Sequence, residues 1–173
     1  TALESASIPH LTINAGSKVT PQLPFIETGL SFGKNISVEP AMSDSDVSNA
    51  VEFGRIVGRN LASLTDCLVI GESIPGGTTT ALAVLRAFDF DAKVSSSIPT
   101  NPTKLKNEIV NSALKRINSD HPYSILAKVG DPMIAFVAGM LSSASSVSKV
   151  MLAGGTQMTA VLAFASKIGF NEE

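Results

Sequence analysis

Residues 66–83 read DCLVIGESIPGGTTTALA, and the structural character of this stretch changes twice along its length. It begins with an apolar run at residues 67–70, rich in β-branched side chains and without polar alternation, which is typical of a buried parallel strand. Pro75-Gly76-Gly77 then interrupts any regular element. The threonines that follow lead into an alanine- and leucine-rich helix and offer a hydroxyl as its N-cap. We therefore expect a strand, a glycine turn and a helix N-terminus in succession.

Such an arrangement is suited to binding an anion. The free N–H groups of the first helical turn and the positive end of the helix point toward the loop, and glycines let a ligand approach the backbone closely. Gly76, Gly77, Thr78 and Thr79 are therefore candidate binding residues. Glu72 follows the strand at its carboxyl end, where open α/β sheets bind ligands. A glycine turn with a purely structural role is an equally weighted alternative at this point.

Two familiar phosphate-binding loops are excluded by the same residues. A Walker A loop needs a lysine just before its threonine or serine, and this loop has none. The dinucleotide fingerprint needs a different spacing of its glycines. The loop is therefore a candidate anion site of another kind.

The composition indicates a soluble globular protein with one domain over residues 1–173. Hydrophobic residues make up 44% of the chain and charged residues 16%, and the formal net charge is −2, so we expect neither a nucleic acid nor a membrane as partner. The chain starts at Thr1 rather than at a methionine, and we therefore expect it to be a fragment of a longer polypeptide.

The single cysteine excludes an internal disulfide bond and a cysteine metal site. It favours a reducing compartment, so we expect a cytoplasmic protein. Cys67 lies within the predicted buried strand, which predicts core packing rather than reactivity for its thiol. Neither His10 nor His121 has further ligand residues at metal-binding spacing, and we predict neither a metal nor a cofactor.

A helix is predicted to start at Ser43, with Gly54 and Gly58 on a face that packs closely against a neighbour. Residues 92–97 indicate a second strand-to-loop transition, in which Ser95 and Ser96 are candidate ligand-binding hydroxyls. The helix after Asn101-Pro102 has a predicted apolar stripe that excludes Lys106 and consists of Leu105, Ile109, Ala113 and Ile117. From this pattern alone Lys106 is interpreted as a solvated lysine.

The pattern of the first glycine loop recurs near the end of the chain. Residues 149–153 predict a buried strand, and residues 158–168 predict a helix. The loop between them is the second candidate binding loop and consists of Gly154, Gly155, Thr156 and Gln157. Two such loops in one parallel sheet can face each other across one crevice, with Gln157 able to hydrogen-bond a ring or a carboxylate. Strands and helices in this order predict a three-layer α/β/α fold with a mainly parallel, Rossmann-like sheet.

Residues 71–82, which read GESIPGGTTTAL, resemble the signature of the nicotinate-nucleotide–dimethylbenzimidazole phosphoribosyltransferase family, in its archaeal and cyanobacterial branch. Residues 14–26 and 129–141 resemble the same branch more weakly. The resemblance implies transfer of ribose 5-phosphate from nicotinate mononucleotide to a benzimidazole-like base, in assembly of the lower ligand of a cobamide. It also implies that Lys106 contacts the phosphate and that Glu72 is an acid at the ribose end of the site.

The same resemblance implies further expectations about assembly and catalysis. It implies a homodimer that acts on small molecules. The resembled enzymes use a glutamate in a Gly- and Ala-rich stretch near their C-terminus as catalytic base, and no stretch here matches it; Glu172 and Glu173 are not assigned that role. Glu72 is therefore the candidate catalytic carboxylate, and we expect this chain alone to bind mononucleotide weakly and to transfer phosphoribose at a trace rate or not at all. The alternative is a non-catalytic nucleotide-binding or regulatory domain that retains the fold.

Overall fold

The computed structural model describes residues 2–96 and 100–170. Within these ranges the chain forms seven helices and four strands. In chain order they are α1 (Ala2–Ser5), β1 (Thr12–Asn14), β2 (Phe25–Glu27), α2 (Asp44–Ala62), β3 (Cys67–Gly71), α3 (Gly77–Ala87), α4 (Thr103–Leu114), α5 (Pro122–Val129), α6 (Pro132–Ala144), β4 (Lys149–Ala153) and α7 (Thr156–Lys167).

All strand pairing in the described residues is parallel. β1 pairs with β2, with Thr12 opposite Phe25, and β3 pairs with β4, with Cys67 opposite Lys149. The α/β class and the parallel pairing predicted from the sequence are confirmed. β2 was not predicted, because Pro21 and Pro24 indicate a loop there; the strand begins directly after Pro24, where no proline interrupts the ladder.

The largest helix–helix contact joins α2 and α6. α2 begins where the sequence predicted, and its start is a capping box in which Ser43 and Asp46 exchange side-chain and backbone hydrogen bonds. A Cβ atom on Gly54 would lie 2.0 Å from the carbonyl oxygen of Phe136, and one on Gly58 would lie 2.5 Å from that of Met140. The two backbones therefore touch along this face, and the predicted close packing is confirmed.

The core lies around α6, which is buried over nearly its whole length. Phe136 from α6 and Phe164 from α7 are among the largest fully buried side chains. Within the described ranges, none of the helices combines the length and the apolar content that crossing a membrane requires.

The prediction that residues 67–70 form a fully buried strand is wrong. Ile70 is buried, but Val69 is 56% exposed, and Cys67 is an exposed free thiol rather than a core residue. The physical reason is that β3 pairs with β4 alone among the described strands, and no described element covers the face that carries Cys67 and Val69. An apolar run indicates a strand, but the layers around it decide how much of that strand is buried.

The strand expected within residues 92–97 is also absent from the described part of that segment. Residues 91–96 are irregular, and residues 97–99 lie outside the described residues. Extended backbone becomes a strand when a neighbouring strand completes its hydrogen bonds. Here the carbonyl group of Ser95 instead accepts a hydrogen bond from Lys106.

Candidate functional site

The loops that follow β3 and β4 lie side by side. The two strands are parallel neighbours, and Gly71 at the end of β3 is opposite Ala153 at the end of β4. A Cβ atom on Gly77, in the first loop, would lie 3.1 Å from both Cγ and Nε2 of Gln157, in the second. The structure thus brings the two glycine loops together at one edge of the sheet, where ligands of α/β proteins bind.

The N-terminus of α3 is formed by glycine rather than by a hydroxyl cap. Gly76 is the N-cap with φ of 76°, a left-handed conformation that glycine adopts without strain, and no side chain makes a capping hydrogen bond there. The predicted hydroxyl cap is therefore wrong, because Gly76 starts the helix earlier and places Thr78 to Thr80 inside its first turn. No acidic residue lies in that turn, so its N–H groups face no competing carboxylate from their own helix.

Lys106 contacts the same helix turn from α4. Its side chain is buried, at 6% exposure, and Nζ donates to Oγ1 of Thr78 at 3.0 Å and to the carbonyl oxygen of Ser95 at 2.7 Å. Burial lowers the pKa of Lys106, and the ion pairs of the described residues do not include it. An ammonium group has three N–H donors, so one donor remains for a ligand.

The interpretation of Lys106 as a solvated residue outside the apolar stripe is wrong. α4 buries Lys106, Val110 and Ala113, whereas Leu105 is 56% exposed. Leu105 and Ile109 lie one residue before Lys106 and Val110, so either pair continues to Ala113 with helical spacing. Contact of α4 with α3 selects the stripe that contains the lysine.

Ser95 and Ser96 differ in their exposure to solvent. Ser95 is exposed and contacts Lys106 through its backbone carbonyl group rather than its hydroxyl. Ser96 is half-buried beside it. A ligand-binding role for either hydroxyl stays a prediction.

Glu72 lies in the loop after β3 and also beside the loop after β4. Its Oε1 atom is 3.9 Å from where a Cβ atom on Gly154 would be, and the residue is half-buried. Burial raises the pKa of Glu72, a backbone hydrogen bond from Ile74 opposes this, and the charge of Asp131 raises it further. The side chain is therefore a carboxylate of increased proton affinity next to both glycine loops.

Asp131 is the site residue that the sequence did not assign to ligand chemistry. Asp131-Pro132 is a sequence pattern typical of a cap followed by a proline at the first helical position, and Asp131 caps α6: Oδ1 accepts from the backbone N–H of Ile134 at 3.1 Å. Its other oxygen, Oδ2, accepts from Oγ1 of Thr80 at 2.6 Å, and the residue is only 8% exposed. Burial raises the pKa of Asp131. The sequence signal was an acid in an otherwise apolar segment.

The N-terminal loops close against the start of α6, beside Asp131. A Cβ atom on Gly16, whose φ is +89°, would lie 2.7 Å from Cγ of Pro132, and one on Gly33 would lie 3.3 Å from Cδ of the same proline. The side chain of Asn14 is held by Glu27, with 2.9 Å between Nδ2 and Oε2. The segment that resembled the family near residues 14–26 therefore lies near the candidate site.

Two groups of predicted site residues emerge. Glu72, Gly77, Gly154 and Gln157 lie together where the loops meet, and Lys106 is bonded to Thr78. The other predicted residues of the two loops are Gly76, Thr79, Gly155 and Thr156. Within residues 2–96 and 100–170, neither Thr79 nor Thr156 forms a side-chain hydrogen bond with Glu72 or Lys106.

The fold and the site define an α/β protein that presents helix N-termini, a buried lysine and two acids at one sheet edge. The chain belongs to a phosphoribosyltransferase family, whose model is described as "Phosphoribosyltransferase" and matches residues 10–171. This confirms the resemblance stated from residues 71–82.

Curated archaeal relatives support the same assignment. The chain is 45% identical over 169 residues to a UPF0284 protein of Archaeoglobus fulgidus, with 98% of this chain and 50% of the relative covered. It is 44% identical over 170 residues to a UPF0284 protein of Methanothermobacter thermautotrophicus, with 94% and 46% covered. The chain thus spans about half the length of the curated relatives it matches.

The fold is also similar to solved structures. The crystal structure of CobT from Thermus thermophilus matches with a TM-score of 0.79 and 22% identity, over 96% of this chain and 53% of that one. A nicotinate-nucleotide–dimethylbenzimidazole phosphoribosyltransferase structure from the same organism matches with a TM-score of 0.74 and 22% identity, over 88% and 47%. At this identity the likeness establishes the fold.

Proposed function

We propose that this chain carries the phosphate-binding part of an enzyme that transfers ribose 5-phosphate from nicotinate mononucleotide to a benzimidazole-like base. Nicotinate is released, and the product serves as lower ligand of a cobamide. Family membership supports the reaction class. The observation that carries the proposal for this chain is Lys106, a buried ammonium whose hydrogen-bond partners among the described residues are neutral, next to the acid-free first turn of α3.

A bound phosphate would supply the negative charge that Lys106 and the first turn of α3 lack. Burial of Lys106 disfavours its charge, and an anion within hydrogen-bond distance favours it again. The N–H groups at the start of α3 and the hydroxyl of Thr78 supply further donors. Gly77, Thr79 and the second loop would complete the enclosure of the ribose phosphate.

Glu72 would act on the reacting end of the nucleotide. In the transfer, the bond between the anomeric carbon and the nicotinate nitrogen breaks and leaves its electron pair on that nitrogen. A new bond forms from the base nitrogen to the same carbon, and the proton on that base must leave. A carboxylate there can stabilise the developing positive charge on the ribose or accept the proton, and burial increases the proton affinity of Glu72.

Binding of nicotinate mononucleotide in the absence of magnesium tests the anchor. Calorimetry should show binding to the parent chain and to Lys104→Met, an exposed lysine of the same helix, and a strong loss in Lys106→Met. Equal affinity of Lys106→Met and the parent would refute the proposed anchor. A strict requirement for magnesium would favour a nucleotide hydrolase instead.

Release of nicotinate that depends on added dimethylbenzimidazole tests catalysis separately. We expect a trace rate or none from this chain, because no stretch of it matches the one that carries the catalytic glutamate in the resembled enzymes. Binding without any release would fit both the proposal and the alternative, a nucleotide-binding or regulatory domain that retains the fold, whereas base-dependent release even at a trace rate would favour the enzyme. Robust release would show that a group within this chain is sufficient as the base, and its loss in Glu72→Gln would show that Glu72 is required.

Assembly and location complete the proposal. We propose a homodimer, on the strength of the family resemblance, and a cytoplasmic location, because a single cysteine suits a reducing compartment. Analytical ultracentrifugation of the purified chain tests the first: a monomer at micromolar concentration would contradict it.

A further inference from the structure

One edge of β4 is not paired with any described strand. On its other edge β4 pairs with β3, and the N–H group of Lys149 donates to the carbonyl oxygen of Asp66, directly before β3, at 3.3 Å. Successive N–H groups of a strand point to opposite sides, so those of Val150 and Leu152 point away from β3. The edge of β4 therefore presents backbone donors and acceptors with which a further strand can pair.

This edge lacks the features that prevent exposed strand edges from pairing. Natural edge strands carry charged residues, prolines or bulges. β4 reads KVMLA, so its charge lies at its first residue and it contains no proline. Its outer face is also apolar, because Met151 and Val69, the residue opposite it in β3, are 57% and 56% exposed. Strands of this composition are typical of the interior of a parallel sheet.

An apolar groove of about 1070 Å³ lies beside β4. Residues 65–67 and 145–149, at the amino ends of the two strands, line one part of it. The apolar residues that line its remainder include Val150, Leu152, Leu162 and Phe170. A strand added to β4 would place alternate side chains in this groove and bury them against these residues.

The end of α7 brings the backbone to the same groove. Gly169 has φ of +97°, and the N–H group of Phe170 donates to the carbonyl oxygen of Ala165 at 3.0 Å, which is a Schellman motif that ends the helix and turns the chain. α7 begins just after the carboxyl end of β4, whereas Phe170 lies beside the amino ends of the strands. A strand that follows a helix in this position runs parallel to the strand before it, through a right-handed crossover.

We infer that the free edge of β4 and the adjoining groove bind a further parallel strand, supplied by the part of the relatives' length that this chain does not span. The chain covers 50% and 46% of the two archaeal relatives, so a comparable length of polypeptide can supply it. A second copy of this chain fits less well. Across a two-fold axis it would present its own β4 edge in antiparallel orientation, whereas the crossover from α7 requires a parallel strand.

The added strand would also extend the candidate site. Parallel strands end at the same edge of a sheet, so the loop after this strand would lie next to the loop of Gly154 and Gln157. Residues outside this chain would then contribute to the site. The inference itself does not depend on which ligand the site binds.

Hydrogen exchange of single amides tests the pairing without any ligand. The probes are the amides of Val150 and Leu152, and the internal reference is the amide of Met151, which points toward β3. In this chain both probes should exchange about a hundredfold faster than the reference, or more. In the intact Archaeoglobus fulgidus relative, the amides aligned with the probes should exchange as slowly as the amide aligned with Met151.

A proline substitution provides a second test. Proline is tolerated in an edge strand where its missing N–H points outward, but inside a sheet it removes a hydrogen bond of the ladder. In this chain Leu152→Pro should melt close to Leu152→Ala, the control for the lost side chain. In the intact relative, proline at the aligned position should melt several degrees below alanine at that position.

Three results would overturn the inference. The first is fast exchange of the probe amides in the intact relative, with no additional loss for proline over alanine. The second is slow exchange of Val150 and Leu152 in this chain at every concentration, because the edge would then already be paired. The third is protection that increases with the concentration of this chain, which would assign the edge to a second copy.

Discussion

Nζ of Lys106 and Oγ1 of Thr78 lie 3.0 Å apart, although 28 positions separate the two residues in the chain. The second contact of the ammonium group is the Ser95 carbonyl, also a neutral acceptor. Burying a charge without a counter-ion costs free energy, because the solvent that stabilised the charge is removed. Such an arrangement persists when a function uses it, and here an anion would supply the missing charge.

Removal of this ammonium group should weaken nucleotide binding without unfolding the chain. Lys106→Ala is expected to lower the affinity for nicotinate mononucleotide by roughly 1.5–3 kcal/mol, the range for a charge-assisted hydrogen bond. Its melting temperature should stay near that of the parent, because a buried charge is lost together with two hydrogen bonds. Calorimetry and thermal unfolding measure the two effects, with Lys104→Ala as the control. A fall in melting temperature at unchanged affinity would show that Lys106 is structural.

The affinity should also depend on pH in a direction set by Lys106. Burial lowers the pKa of Lys106 below its ordinary 10.5, so the ammonium loses its proton at a lower pH than an exposed lysine does. Binding should therefore be strongest below the lowered pKa and should fall as the pH rises through it. Titrations of the parent from neutral pH up to the ordinary lysine value of 10.5 check this. Lys106→Met should show no such fall; an equal fall in that variant would assign the effect to another group.

We expect a side chain at Gly77 to reduce phosphate binding, and the contact with Gln157 allows the cause to be tested. Gly77→Val is expected to abolish phosphate binding, either because Cβ blocks the ligand or because it displaces Gln157, which lies 3.1 Å from that position. A double-mutant cycle of Gly77→Ala with Gln157→Ala separates the two causes. Rescue of affinity in the double variant would identify displacement of Gln157; no rescue would identify a direct block. Parent-like binding by Gly77→Val would show that Gly77 forms the turn but does not contact the ligand.

The contact between α2 and α6 should be the part of the fold least tolerant of added atoms. Gly54→Ala places Cβ 2.0 Å from the carbonyl oxygen of Phe136, which forces the helices apart. We expect a loss of about 1–3 kcal/mol or more in the free energy of unfolding, as for overpacked cores. Urea denaturation measures it. Gly155→Ala, where no atom lies within 4 Å of the new Cβ, is the control and should be nearly neutral.

Asp131 should make the stability of the chain depend on pH. Burial raises the pKa of Asp131 above its ordinary 3.8, so the folded state binds the proton more tightly than the unfolded state does. Ionisation of Asp131 therefore lowers the free energy of unfolding. This loss is absent below pH 3.8, grows as the pH rises to the raised pKa, and is constant above it. Asp131→Asn removes this cost and keeps the hydrogen bonds. Its melting temperature should equal that of the parent at the lowest pH and exceed it at neutral pH; a lower value at neutral pH would contradict the sign.

The local sequence predicted the elements with strong periodic or capping signals. The helix at Ser43 and the strand at residues 149–153 are both present, because caps and apolar runs act over a few residues. The prediction that this strand is buried is wrong, since its residues alternate between exposed and half-buried. The family was also evident, since residues 71–82 match it in consecutive positions. The candidate loops were found for the same reason.

The tertiary structure decided which residues are buried and which distant side chains form hydrogen bonds with each other. The sequence placed Cys67 in the core and Lys106 in solvent, and the structure reverses both. Each residue lies on an element whose two faces have similar local patterns, and only the layer packed against that element selects the inner face. The contact of Thr80 with Asp131 spans 51 positions. A hydrogen bond between such distant residues forms only after the helices that carry them have packed, so no local pattern can contain it.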